Sequence, residues 1–332
     1  MTARPVAVVT GGAGFIGSHM VDNLLAHGYR VRAVDSLVSG RESNLSHLKS
    51  SGDFSFERAD VRDLDPGHSL FDGVRYVFHF AGIGDIVPSI ERPTEYMSAN
   101  VQGTVQVLEC TRHAKAAKLV YAASSSCYGL AVTPTREDHP IAPQYPYALS
   151  KWMGEQACLH WYRVYRLPVN SIRIFNAYGT RGRTTGAYGA VFGVFFRQKL
   201  AGKAFTVVGD GKQRRDFLYV TDVAEAFRLA AETDKTGDIW NLGAGNPQSV
   251  NRLVDLLGGD KVYIPKRPGE PDCTWADISK ITRDLDWKPR VSFEAGVARM
   301  MSEIEVWRDA PLWDPDSIAQ ATRTWFRFLG KD

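Results

Sequence analysis

Cysteine, net charge and long apolar runs are all scarce in this chain of 332 residues. The four cysteines, Cys110, Cys127, Cys158 and Cys273, stand far apart, with no C-x-x-C pair and no metal-ligand spacing. A disulfide scaffold and a metal centre are therefore not expected, and free thiols suit a reducing compartment. Forty basic residues against 37 acidic ones leave a net charge of +3, too little for a nucleic-acid or membrane-surface protein on charge alone. No apolar run approaches the ~18 residues a membrane span needs. The first residues, Met1 to Val9, reach a strand at once and show no signal-type apolar region. With 44% hydrophobic and 23% charged residues, the expectation is a soluble cytoplasmic α/β protein with a large core and two substructures.

What is present begins at Val6-Ala7-Val8-Val9, a continuous β-branched run that reads as a buried parallel strand. Gly11-Gly12-Ala13-Gly14-Phe15-Ile16-Gly17 follows directly, and a helical pattern from His19 to His27 comes next. Strand, glycine turn and helix together are the context in which G-x-G-x-x-G binds a dinucleotide. Without side chains in the way, backbone N–H groups and the helix N-terminus can approach a pyrophosphate. A second strand, Arg30 to Val34, ends at Asp35. A carboxylate there accepts from the adenosine ribose hydroxyls and repels a 2′-phosphate, which favours NAD over NADP. Arg30, Arg32 and Arg41 lie nearby and keep a phosphate-binding alternative open.

Three further strands are expected at βα spacing: Phe54 to Arg58, Tyr76 to Phe80, and Leu119 to Ala123. Each leads into small or polar residues (Asp60-Val61, Ala81-Gly82, Ser124-Ser125-Ser126) where ligands sit in such sheets. A helix from Thr94 to His113 carries Met97, Val101, Val105 and Leu108 on one core-facing stripe. Asn100, next to that stripe, reads either as a capping group or as a ligand contact.

Tyr147 and Lys151 are four residues apart at the start of a long helix reaching about Arg166, so they share one face. By itself the pair also fits a solvated helix face. Beside a glycine turn, an acidic strand end and Ser124, it reads as an acid/base device for oxidising a secondary alcohol next to a nicotinamide. Tyr147 takes the hydroxyl proton, Ser124 holds the oxygen, and Lys151 fixes the nicotinamide ribose. The ammonium is also expected to lower the phenol's pKa from its usual ~10.

These residues carry a resemblance. The glycine turn, Asp35, Asp60-Val61, Ser124 followed by Tyr128-Gly129, and Tyr147 with Lys151 resemble the extended short-chain dehydrogenase/reductase superfamily. Phe175-Asn176, the run Gln213 to Val223, Arg267-Pro268-Gly269 and Trp275-Ala276-Asp277 narrow the similarity to its NAD-dependent epimerase/dehydratase family. The chain is most similar there to the UDP-glucose 4-epimerase group, from Val6 to about Pro289. The resemblance implies an α/β fold with a doubly wound parallel (Rossmann) sheet and a smaller, interleaved C-terminal substrate domain. Residues 1–177, taking back about 212–243, would form the NAD domain, and 178–211 with 244–332 the substrate domain. It implies 4-epimerisation of a nucleotide-diphosphate hexose through a transient 4-keto sugar, with NAD as cofactor, in a homodimer paired through Thr94–His113 and Tyr147–Arg166. The implied cofactor contacts are Gly11, Gly14, Phe15, Ile16, Gly17, Asp35, Ser39, Gly40, Asp60, Val61, Phe80, Ala81, Gly82, Asn100, Tyr147, Lys151 and Phe175. The implied substrate contacts are Ser124, Ser125, Asn176, Val191, Arg215, Arg267 and Thr274, with Asn176, Arg215 and Arg267 on the diphosphate. Paired, permanently charged arginines suit that group.

Neighbouring branches differ after Ser124. Dehydratases place an Asp-Glu pair there and decarboxylases a Glu, whereas this chain has Ser125-Ser126 and no acid to protonate a leaving hydroxyl. Other nucleotide-sugar reductases or epimerases, with CDP-, GDP- or dTDP-linked substrates, remain alternatives, as does a non-catalytic NAD-binding scaffold.

In the second half, Thr180 to Gly189 reads as a loop covering the ligand, and Ala190 to Leu200 as an aromatic helix whose Phe192, Phe195 and Phe196 serve packing. By resemblance, the strand Phe205 to Val208 lies near the nucleotide base. Thr274 stands where several relatives have a Tyr, which leaves room for an N-acetyl group. Asp85 either faces the hexose, where it would repel a uronic acid, or faces outward. Arg181 and Arg183 could instead pair with a substrate carboxylate. The stretch Val306 to Asp332 extends past the usual family end and holds Trp307, Trp313, Trp325, Phe326 and Phe328. It reads as an amphipathic helix from about Asp316 to Leu329, packed on the body or on a partner subunit.

Overall fold

Buried β-branched runs, each followed by a turn and a helix, fold as parallel strands covered on both faces. The computed structural model of the chain describes residues 4–184 and 191–330. Seven strands form one parallel sheet in the order Ile239–Leu242, Val169–Ile174, Lys118–Ser124, Val74–His79, Val6–Thr10, Arg30–Asp35, Phe54–Arg58. The order reverses beside Val6–Thr10, and ligands of such sheets bind outside the strands' carboxyl ends at that switch point.

Side chains alternate across a strand, so each strand feeds two cores. Ala7 and Val9 pack in a cluster with Met20 and Leu24 of helix Phe15–Ala26 and Phe227 of helix Val220–Glu232. Val8 joins the other cluster, with Val77, Leu108 of helix Gly103–His113 and Cys158 of helix Pro146–Tyr165. A third core combines Phe192, Phe195 and Phe196 of helix Val191–Leu200 with Phe205, Leu253, Phe293 and Trp307. The three rings of that helix thus pack as expected. Around this core Phe205–Val208 pairs in parallel with Lys261–Ile264, and Asn176–Tyr178 with Phe217–Tyr219. The ligand-covering loop expected from Thr180 is described only to Thr184; its remainder, and Ala190 at the expected helix start, lie outside the described residues.

Two helical expectations are corrected. The segment expected as one helix from Thr94 runs as Pro93–Met97, a π turn at Ser98–Gln102, and Gly103–His113. Its buried face is Tyr96, Asn100, Thr104, Val107 and Thr111, together with Leu108, while Met97, Val101 and Val105 are only half-buried. A polar buried stripe gives no hydrophobic signal, so the apolar pattern points one residue away from the true inward face. The tail is two short helices, Pro315–Ala321 and Arg323–Leu329. They break at Thr322, whose hydroxyl donates back to the Ile318 carbonyl at 2.7 Å, a bond that bends helices. The tail packs on the body: Trp307, Ile318 and Trp325 are all buried in the single chain.

Candidate active site

The glycine turn has the shape of a cradle. Gly11 adopts φ +68°, and a Cβ on it would stand 2.7 Å from the Ala81 nitrogen. A Cβ on Gly17 would overlap the Gly11 carbonyl, so the helix could not approach the turn. The cavity above has a volume of about 510 Å³. It is lined by Gly11, Gly14, Phe15, Ile16, Gly17, Asp35, Ser39, Asp60, Val61, Phe80, Ala81, Gly82, Ser124, Tyr147, Lys151, Phe175 and Asn176. An extended dinucleotide fits this donor set: bare backbone at the helix start, a carboxylate at the end of Arg30–Asp35, and an acid/base pair at the far end.

Asp35 is fixed before any ligand arrives. Its carboxylate accepts from the Ala13 and Leu37 backbone N–H groups at 3.0 and 2.8 Å, while burial pushes its pKa up. Gly40 is placed behind that carboxylate rather than on the cavity wall; a Cβ there would lie 2.7 Å from Oδ2. Arg32 donates to the Ser69, Leu70 and Asp72 carbonyls, and Arg41 to the Gly182 carbonyl and the Thr184 hydroxyl. Arg30 is exposed at the outer end of its strand. The arginines that kept a 2′-phosphate open are thus engaged or turned elsewhere.

The loop Phe80-Ala81-Gly82 is held from beneath by a polar chain. Thr104 donates to the Asn100 carbonyl at 2.6 Å, so the His79 Nε2–H donates to Thr104 at 2.9 Å and its Nδ1 accepts from Thr10 at 2.7 Å. Burial lowers the His79 pKa to about 3, which keeps the ring neutral in this role. Asn100 neither caps a helix nor lines the cavity. Its amide brackets Ile83, accepting from the backbone N–H at 2.8 Å and donating to the carbonyl at 3.0 Å, and it also donates to Ser150 at 2.9 Å. Its position next to an apolar stripe is the one sequence signal for this role.

Tyr147 and Lys151 are delivered by helix Pro146–Tyr165. Pro146 at the first helical position has φ preset for the turn, and Arg166 ends the helix in the left-handed conformation at φ 59°. Gly154 lets the helix sit close to the sheet; a Cβ there would overlap the Tyr121 hydroxyl, which donates to the Lys151 carbonyl at 3.1 Å. The Lys151 ammonium lies 4.5 Å from the centre of the Tyr121 ring, and burial lowers its pKa from the usual 10.5 to about 8. The expected lowering of the Tyr147 phenol is not found. Burial pushes that phenol up, opposed by a hydrogen bond with Ser124, and Lys151 is drawn to the face of Tyr121 instead. The Ser124 hydroxyl lies 2.7 Å from that of Ser126.

A second cavity, of about 460 Å³, adjoins the first. Asp85, Ser124, Phe175 and Asn176 line both. The remaining expected substrate residues, Ser125, Val191, Arg215, Arg267 and Thr274, line the second. Thr274 donates to the Asn176 side chain at 2.6 Å, which ties two of them together. Thr206 and Val208 of the strand expected near the base also line it.

Two features here are missed by sequence reasoning. Glu270 stands between the two arginines: it accepts from Arg215 at 2.7 Å, and its other oxygen lies 3.9 Å from Arg267 without a hydrogen bond among the described residues. Its place three residues after Arg267 is the only signal. The other is the tail, whose Thr322 and Trp325 line the same cavity. Asp85, left open between two orientations, faces inward and pairs with Arg183 at 2.7 Å. Arg181 is turned away, paired with Asp22 at 2.7 Å and donating to the Ser18 carbonyl.

Comparison with known proteins gives concordant findings. The family model described as the NAD dependent epimerase/dehydratase family matches residues 7–243. A putative UDP-glucose 4-epimerase of Methanocaldococcus jannaschii is 36% identical over 304 residues, 89% of this chain and 97% of that one. The solved UDP-glucuronic acid 4-epimerase from Bacillus cereus, in complex with UDP-glucuronic acid and NAD, is 31% identical with a TM-score of 0.85, over 91% of this chain and 99% of that one. The UDP-N-acetylglucosamine 4-epimerase from Methanobrevibacter ruminantium M1, in complex with UDP-N-acetylmuramic acid, is 31% identical with a TM-score of 0.84, over 91% and 100%.

Proposed function

The chain belongs to the NAD-dependent epimerase/dehydratase family, and from that premise we propose that it is an NAD-dependent 4-epimerase of a nucleotide-diphosphate hexose. The observation that carries this reading is the placement of Ser124. It lines both cavities, with Tyr147 and Lys151 on the first and Arg215 and Arg267 on the second. A sugar whose diphosphate rests on the two arginines has its ring at that junction.

Bound NAD supplies the reversible two-electron acceptor for the C4 carbinol. Tyr147, as the phenolate, takes the C4 hydroxyl proton and returns it, and Ser124, which lines the same cavity, orients that oxygen. Lys151 holds the ribose next to the nicotinamide. The two serines after Ser124 offer no acid to expel a hydroxyl, so the 4-keto sugar is turned over rather than dehydrated. Asn176, Arg215 and Arg267 bind the diphosphate, and Glu270 keeps the arginines in register.

Relatives named for glucose, N-acetylglucosamine and glucuronic acid leave three sugar classes to choose from. Thr274 in place of a larger side chain favours a hexose with or without an N-acetyl group at C2. The division into an NAD domain (1–177 and about 212–243) and a substrate domain (178–211 and 244–332) accords with the third core lying outside the sheet. A homodimer accords with half-buried Met97, Val101 and Val105 beside exposed Met153, Val164 and Tyr165 on the adjacent helix. Cytoplasmic placement accords with the free thiols. No helix among the described residues is long and apolar enough to cross a membrane.

Tyr147→Phe tests the chemistry. Turnover should fall by about 10²–10⁴-fold, the usual contribution of a positioned acid/base group. Co-purifying NAD, measured after denaturation, should be unchanged. Activity retained in this variant would remove Tyr147 from the reaction.

A further inference from the structure

We propose that Trp325, in the last helix, is a positioning residue for the nucleotide-sugar site: it holds the Arg267 guanidinium at the cavity wall and so sets the affinity for the substrate's diphosphate. The inference rests on the reading above and adds to that site a residue from a segment beyond the sheet and its helices.

Trp325 is only 6% exposed although it belongs to the final helix. Its indole N–H donates to the carbonyl of Pro268, the residue after Arg267, at 2.8 Å. Its ring centre lies 5.5 Å from the Arg267 guanidinium carbon. The Tyr145 ring lies beside it, tilted by 46° with the ring centres 6.4 Å apart, and Tyr145 in turn stacks on Tyr147 at 6.4 Å with the planes 8° apart. One side chain therefore touches the turn that carries the phosphate-binding arginine and, through a single ring, the wall that carries the proposed acid/base group.

The helix itself is pinned. Thr324 donates to Glu91 at 2.9 Å, and Arg323–Leu329 lies against helix Ile86–Glu91, whose first residues line the same cavity. An arginine side chain has many rotamers, and confining it before the ligand binds removes an ordering cost from binding. Trp is the aromatic residue best suited to hold a cation over its face, and its N–H fixes the backbone of the Arg267-Pro268 turn as well. Phe retains a ring but has no N–H, and Ala has neither.

The test compares wild type, Trp325→Phe and Trp325→Ala by calorimetric titration with UDP and with uridine, and by steady-state turnover. The expected result is that Trp325→Ala weakens UDP binding by roughly tenfold, with Trp325→Phe in between. KM for the nucleotide sugar should rise in step, with kcat changed by at most about twofold. Uridine binding and bound NAD should stay at wild-type levels, because neither uses the arginine. A misfolded tail that opens the whole cavity would weaken uridine and UDP alike, and that result overturns the proposal, as does UDP affinity unchanged in both variants. If wild type binds no nucleoside diphosphate at all, the nucleotide-sugar reading itself fails.

Discussion

Asp85 occupies a backbone conformation that glycine adopts freely and other residues rarely do, with φ 96° and ψ 128°. Strain of this kind costs about 1–3 kcal/mol and tends to persist where a side chain has work at a site. Its carboxylate lines both cavities beside Ser124, burial pushes its pKa up, and the Arg183 pair opposes that shift. With the Arg183 guanidinium already engaged by Asp85, a hexuronate carboxylate at this junction has to compete with the Asp85 carboxylate for it, whereas a neutral hexose does not. Asp85→Asn is therefore expected to raise kcat/KM for a UDP-hexuronate relative to the matching UDP-hexose by about tenfold, or ~1.4 kcal/mol of discrimination. Steady-state rates on the two sugars check this, and an unchanged ratio would remove Asp85 from sugar selection. At this scale the sequence was informative about residue types and silent about direction. Asp85, Arg181 and Arg183 were all visible as charges near the site, but only the fold turns Asp85 inward, sets Arg183 on it and pairs Arg181 with Asp22. Glu270 was illegible because it meets Arg215 across 55 residues of chain.

Helix Pro146–Tyr165 shows how an element is held to the tolerance its chemistry needs. One turn beyond Lys151, Glu155 is 1% exposed and paired with Arg173 of the adjacent strand at 2.6 Å, with a further bond from Ser171 at 2.9 Å. Arg173 also donates to the Tyr128 hydroxyl at 2.7 Å, and Tyr128 donates to Asn241 at the same distance. The sheet strands and this helix are thus cross-linked directly under the proposed acid/base pair. Removing one partner of a buried ion pair strands the other charge in the interior. Arg173→Met should accordingly destabilise the protein by about 3–5 kcal/mol, measured by urea unfolding. A change within ~0.5 kcal/mol would show that the pair does not brace the helix. The strands were legible in advance because apolar runs are local signals, and the start of this helix because Tyr147 and Lys151 stand one helical turn apart. The π turn at Ser98–Gln102 and the break at Thr322 were not, because neither holds a proline or glycine in the sequence.

The whole molecule sets the proposed acid/base group and the two arginines proposed to bind the diphosphate on two cavities that share Asp85, Ser124, Phe175 and Asn176. Glycine turn, Asp35, Ser124, Tyr147 and Lys151 come from the sheet's strand ends and first turns, so their convergence follows from the doubly wound topology. Arg215, Arg267 and Trp325 come from segments far apart in the chain, and their convergence on one cavity had no local signature. The division of labour predicts reversible inversion at C4, with the sugar released unreduced and not dehydrated. The direct test starts from each member of a C4 pair in turn, UDP-glucose and UDP-galactose, then their N-acetyl counterparts, and follows both epimers chromatographically. One pair is expected to reach the same final ratio from either side, with no net reduced dinucleotide accumulating. A dehydrated or reduced sugar as the stable product, or no interconversion of any C4 pair, would contradict 4-epimerisation.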